Sequence, residues 1–115
     1  MSTIMSVARF HIHAGRAEEF KALAAECVRL VRDRDPGTSL YEWFINGDET
    51  ECVAIDRYSS SDAVFAHIGN VGATMRKLRK VSDVSVELLG SPSSALLEAL
   101  QFKSGEVFAR LDGIA

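Results

Sequence analysis

The order in which the hydrophobic period changes along the chain is what most restricts its fold. Ile4 to His13 alternates, with Ile4, Ser6, Ala8, Phe10 and Ile12 on one face and Met5, Val7, Arg9, His11 and His13 on the other, the period of a strand. From Gly15 to Arg34 the spacing of Phe20, Leu23, Ala24, Cys27, Leu30 and Val31 is helical, and charged residues solvate the opposite side. Asp35-Pro36-Gly37 stops this helix, because a residue before proline avoids the helical region and glycine accepts the turn that follows. SLYEWFI (Ser39 to Ile45) and CVAIDRYS (Cys52 to Ser59) are strand-like, and Asn46-Gly47 between them signals a hairpin. A second helix is expected from about Ser60 to Lys80, capped by Ser59 or Ser60 and buried along Val64, Ile68, Val71, Met75 and Leu78. Gly69 and Gly72 each cost a helix about 1 kcal/mol relative to alanine, so a break is expected there. Val84, Val86 and Leu88 alternate with Asp83, Ser85 and Glu87 as a fourth strand, and Ser91-Pro92-Ser93 opens a short helix through Leu100. The tail is open to two readings, an edge strand at Val107 to Leu111 or packing on a partner chain.

The order βαββαβ specifies an α+β, ferredoxin-like arrangement: a four-stranded antiparallel sheet with helices on one face. A chain of 115 residues, 47% hydrophobic, suits a single domain over 1–115, with its core in 4–89 and a C-terminal helix and tail at 91–115. The net charge of −3 is dispersed, and the one basic cluster, Arg76 to Lys80, reads as a solvated helix end. Neither a nucleic-acid surface nor a membrane span is indicated. The N-terminus lacks a cationic start followed by a long apolar run, so a cytoplasmic location is expected. Cys27 and Cys52 stand apart among apolar residues and read as small core residues.

Strands of this kind carry apolar residues on both faces. The side away from the helices would present Met5, Val7, Leu40, Phe44, Val53, Ile55 and Leu89 to water, so a homodimer is expected to cover it. Arg9, Glu42, Arg57 and Glu87 share that side and have balanced charges, available for pairing across strands or across the interface. Opposing Asn46 to Glu51 places Tyr41, Trp43, Ala54, Asp56 and Tyr58 on the helix side. Ser6 and Ala8 leave space beside them, and His67 approaches from the second helix. His67 and Asp56 are the candidate catalytic pair, and Tyr41, Trp43, Tyr58, Ser6 and Ala8 the candidate walls of a small-molecule site. The competing interpretation makes His67 a core residue bonded to Asp56 or to a backbone carbonyl, and Tyr41 and Trp43 ordinary strand packing. His11 and His13 point to the opposite side, have no evident third ligand, and are read as rim or interface residues; no metal site is expected. No Gly-rich nucleotide loop or nucleophile-elbow serine is present in the sequence.

The segments FHIHAGRAEEF (Phe10 to Phe20), PGTSLYEW (Pro36 to Trp43) and DRYSSSDAVFAH (Asp56 to His67), in that order and spacing, resemble the antibiotic biosynthesis monooxygenase domain of the dimeric α/β-barrel superfamily, over about Ile4 to Leu89. The resemblance implies a dimer whose two sheets face each other as a barrel, with a pocket in each subunit between sheet and helices. Characterised members include cofactor-free quinol and anthrone oxygenases, haem-degrading enzymes and a sugar-phosphate isomerase. On that basis the leading expectation is a monooxygenase without cofactor that oxidises an electron-rich phenol, quinol or anthrone with O2, His67 assisting deprotonation. A non-redox isomerase or ligand-binding dimer is the alternative, and a structural dimer without catalysis a further one. Haem degradation fits less well. Relatives that do it carry an asparagine on the first strand, absent from Ser2 to His13, and a tryptophan at a position other than that of Trp43. Many members carry glutamate where Asp56 stands, so the shorter side chain leaves a direct contact with His67 in question.

Overall fold

The computed structural model describes residues 3–114. The chain runs β1 (Ile4–Ile12), α1 (Ala17–Arg34), β2 (Thr38–Ile45), β3 (Glu51–Tyr58), α2 (Ser61–Val81), β4 (Ser82–Leu89), α3 (Ser94–Leu100), a 3₁₀ turn at Ser104–Glu106 and β5 (Val107–Phe108). The sheet order is β2-β3-β1-β4-β5. The first four strands pair antiparallel in the ferredoxin-like α+β pattern.

The sheet has five strands where four antiparallel ones were expected. β5 lies parallel to β4, with Leu88 opposite Val107 and Leu89 opposite Phe108, so the sheet is mixed and open. A parallel neighbour requires a crossover, and α3 with the 3₁₀ turn supplies it. This edge strand ends at Phe108, short of Leu111, which is exposed.

A second departure is α2, which is continuous through Gly69 and Gly72. Its buried positions, Val64, His67, Val71, Thr74, Leu78 and Val81, follow alternating steps of three and four residues, an unbroken stripe against the rest of the molecule. Burial of that stripe outweighs the conformational cost of two glycines. The stripe is also rotated from the expected one: Thr74 and Val81 are inside, whereas Ile68 is 36% exposed. The Ser60 hydroxyl accepts the Ala63 N–H at 3.1 Å, capping the helix as expected.

The hairpin register is the expected one, with Tyr41 opposite Asp56, Trp43 opposite Ala54 and Ile45 opposite Cys52. Asn46 organises the loop, its Oδ1 accepting the N–H groups of Thr50 and Glu51 at 2.9 Å each. The left-handed residue there is Glu49, at φ 58°. Gly37 serves contact rather than backbone freedom, since a Cβ at that position would lie 2.6 Å from the Ala63 Cβ of α2. That close approach brings the α1–β2 turn onto the first turns of α2. The main core, around Phe10, Phe20, Cys27, Ala54, Val71 and Leu78, fills the space between sheet and helices. A second cluster joins Ile4, Tyr58, Val64 and Leu88 to Leu96 of α3.

Candidate functional site

A cavity of about 250 Å³ lies between the helix-side face of the sheet, α2 and the C-terminal segment. Strand alternation sends Ser6, Ala8, Tyr41, Trp43, Asp56 and Tyr58 into it, and His67 enters from α2. All seven residues singled out from the sequence therefore line one space. Leu100 and Phe102, beyond the last core strand, add an apolar wall, and the exposed Arg79 lines the cavity further along α2. Sequence reasoning did not include these three.

His67 is held on three sides. Tyr41 and Tyr58 approach its ring edge-on, each with ring centroids 5.2 Å away. Its Nδ1 lies 2.7 Å from Asp35 Oδ2, and the Asp35 side chain is 1% exposed. Asp35 also accepts from the Asn70 side-chain amide and from the Thr38 hydroxyl. Such a carboxylate accepts a hydrogen bond from Nδ1–H and fixes the orientation of the ring. Nε2 in turn stands 3.8 Å from Asp56 Oδ2, beyond a hydrogen bond but within electrostatic reach. The partner that fixes His67 is thus Asp35, neither Asp56 nor a backbone carbonyl. Asp35 stood out in the sequence only as a helix stop.

Asp56 Oδ2 accepts a hydrogen bond from the Tyr58 hydroxyl at 2.5 Å. Burial raises its carboxyl above the ordinary value of 3.8, partly opposed by the Tyr58 hydrogen bond and by His67. Burial also pushes both tyrosine phenols up, so they remain protonated donors at neutral pH. The thiols of Cys27 and Cys52 are pushed up to about 11 by burial, which makes them inert packing groups. His13, read as a rim residue, pairs with Asp83 at 3.1 Å, well outside this cavity.

Comparison with known proteins agrees with this architecture. The family model for antibiotic biosynthesis monooxygenase matches residues 3–72. MupZ from Pseudomonas fluorescens superposes with a TM-score of 0.80 at 20% identity, over 100% of this chain and 95% of that one. SnoaB from Streptomyces nogalater, a cofactor-independent oxygenase, gives a TM-score of 0.68 at 21% identity, over 82% and 97%. Rv0793 from Mycobacterium tuberculosis gives 0.71 at 22% identity, over 82% and 99%. No curated protein matches the sequence. These structural likenesses establish the shared fold, and with the family match spanning more than half of its residues the chain belongs to the antibiotic biosynthesis monooxygenase family.

Proposed function

We propose that the protein is a cofactor-independent monooxygenase in which His67 deprotonates an electron-rich phenol, quinol or anthrone and the resulting anion reduces O2. The observation that carries this reading is the Asp35–His67 pair, which fixes the imidazole in the wall of a largely apolar cavity. A base so oriented contributes roughly 10²- to 10⁴-fold to a proton-transfer step. For an anthrone, removal of a proton from the ring methylene gives a carbanion conjugated with the ring. It passes an electron to O2, and recombination forms a C–OOH bond. Loss of the second C–H proton then breaks the O–O bond, so that the methylene and O2 become a ring carbonyl and water. Asp56, 3.8 Å from Nε2, stabilises the imidazolium formed in the first step. Tyr41, Trp43 and Tyr58 wall the ring, and Ser6 and Ala8 give it room.

The active form is a homodimer. Met5, Val7, Leu40, Val53, Ile55 and Leu89 are only half-buried on the outer face, and Phe44 is 55% exposed. A second copy laid face to face would cover them and form the barrel; homodimers acting on small molecules with O2 are general in the family. The site lies within one domain spanning the chain, with Leu100 and Phe102 of the C-terminal segment closing its cavity, in a protein that acts in the cytoplasm without nucleic acid or membrane.

Oxygen-electrode assays with anthrone should show one O2 consumed per quinone formed, lost in His67→Gln. Absence of O2 uptake across phenols, quinols and anthrones would refute the oxygenase reading. The closeness of Asp56 to His67 Nε2 favours one alternative: a carboxyl and an imidazole 3.8 Å apart can shift a proton within a ligand without O2. Isomerised product formed anaerobically would decide for that chemistry.

A further inference from the structure

We infer that the cavity takes a multi-ring ligand bearing a carboxylate, its reacting ring beside His67 and its carboxylate paired with Arg79 towards the C-terminal end of α2. This rests on reading the cavity as the substrate site and adds the charge a substrate must carry. Among the residues that line the cavity, Arg79 is the one permanently cationic side chain. It makes no salt bridge among the described residues. Asp56 is buried beside His67, whereas Arg79 is exposed. An anion placed inward would be desolvated against the Asp56 carboxyl. Placed outward, it keeps part of its hydration and meets a guanidinium whose fork matches the two oxygens of a carboxylate.

The spacing along α2 gives the ligand its length. His67 and Arg79 share this helix, and at about 1.5 Å per residue their Cα atoms stand about 18 Å apart along its axis. Helical side chains lean towards the N-terminus. Arg76 does so here, since its Nη1 would lie 3.7 Å from a Cβ at Gly72. The same lean in Arg79 shortens the gap to His67 to a span that two or three fused rings cross. The wall between them is apolar, made by Ile68, Val71 and Met75 of α2 and Val86 and Leu88 of β4, and Gly72 leaves room for a ring face. The Arg76 guanidinium beside Gly72 adds a second positive charge to this end. Arg79 and Lys80 both stand in the last turn of α2, where cations suit the helix dipole. Only Arg79 of the two lines the cavity, which the dipole does not require. One ionic contact at the far end would determine which ring meets the imidazole.

The test uses two ligands of one shape that do not react with O2, 9,10-anthraquinone-2-carboxylate and its neutral primary amide. Titration calorimetry on the wild type at about 0.01 M salt should show the carboxylate binding about three- to tenfold more tightly, a modest gain because the guanidinium is exposed. The preference should shrink at about 0.15 M salt as screening increases. Arg79→Gln should bring the carboxylate down to the affinity of the amide and leave the amide unchanged. Lys77→Gln removes the same charge from an exposed position outside the cavity and should keep the preference. Equal affinity in the wild type, a preference that survives Arg79→Gln or disappears equally in Lys77→Gln, or no binding of either ligand would overturn the inference. O2 uptake plays no part in these readings. A protein that binds as expected but consumes no O2 loses the oxygenase reading alone, and one that turns over anthrone while binding acid and amide equally loses this inference alone.

Discussion

The two faces of the sheet are built from alternate residues of the same strands, yet they solve opposite problems. On the helix side the apolar residues Ile4, Phe10, Ile12, Cys52 and Ala54 are buried, and the polar ones, Ser6 and Asp56, are buried with them. On the outer side Met5, Val7, Val53 and Ile55 are half-buried, and Arg9, Glu42 and Arg57 stand exposed among them. Among the described residues, none of the charged side chains Arg9, Glu42, Arg57 and Glu87 makes an ion pair within the chain; Arg57 bonds Ser39 instead. Polar groups are kept inside an apolar cavity on one face, and apolar groups are left among charges on the other. Because the strand period is two, a single-residue slip in register would exchange the two faces, so the hairpin turn fixes the composition of both.

The strongest break of this contrast is a charge on each side of one strand. Val53→Glu should dissociate the dimer, since an unpaired charge buried at an interface costs about 3 to 5 kcal/mol. Sedimentation at micromolar concentration should then give the chain mass of 12.6 kDa, against twice that for the wild type. A wild type that sediments as a monomer would remove the face-to-face assembly. Ala54→Glu, one residue on but facing the core, should lose the native circular dichroism altogether.

The next break lies within the site. His67→Gln should lower turnover by roughly 10²- to 10⁴-fold. Asp35→Asn should lower it by about 10- to 100-fold, because the imidazole loses the group that fixes its tautomer. Both variants should also melt several degrees lower, since His67 is 7% exposed and its loss strands a buried carboxylate. A histidine variant that melts early but keeps full O2 uptake would assign the ring to the fold alone.

How much of this was readable beforehand follows from what each feature depends on. The convergence of Tyr41, Trp43, Asp56, Tyr58, Ser6 and Ala8 depends on strand parity and one hairpin loop, both local, and it came through intact. Asp35 depends on where the α1–β2 turn meets α2, a contact between residues 32 apart, and no local pattern encodes it. The two-residue β5 is too short to show a period, and Leu100 and Phe102 reach the cavity only because α3 folds back over β4. Gly69 and Gly72 misled for a physical reason. Propensity is a weak preference, and the packing of a long buried stripe overrode it.

The polarity contrast between the faces also has a pH signature. Asp56 binds its proton more tightly when folded than the ordinary value of 3.8 allows. Between 3.8 and the raised folded value the native state holds a proton that the unfolded chain has lost, so stability falls as pH rises through that window. The stability of Asp56→Asn lacks this fall. Its advantage over the wild type should grow with pH, by about 1.4 kcal/mol for each unit of elevation, in urea titrations from pH 4 to 8. An advantage that shrinks with pH would mean that His67 stabilises the carboxylate more than burial penalises it.

The smallest effect separates the two sides of α2 itself. A Cβ at Gly69 would meet nothing within 4 Å, and one at Gly72 would come no closer than 3.7 Å to the Arg76 guanidinium. Neither position has a positive φ, so alanine fits both and should stabilise the helix by about 0.5 to 1 kcal/mol through the backbone entropy that glycine loses on folding. The functional outcomes should differ. Gly69 is exposed and lies away from the cavity, whereas Gly72 lines it. Gly69→Ala should raise the melting temperature and leave KM unchanged. Gly72→Ala should raise it similarly while adding a methyl group to the cavity wall, so KM for a tricyclic substrate should rise and that for a monocyclic quinol should not. If both variants leave KM for the larger substrate alone, the ligand does not extend along α2 as far as Gly72, and the working volume of the site contracts to the space around His67, Asp56 and Trp43.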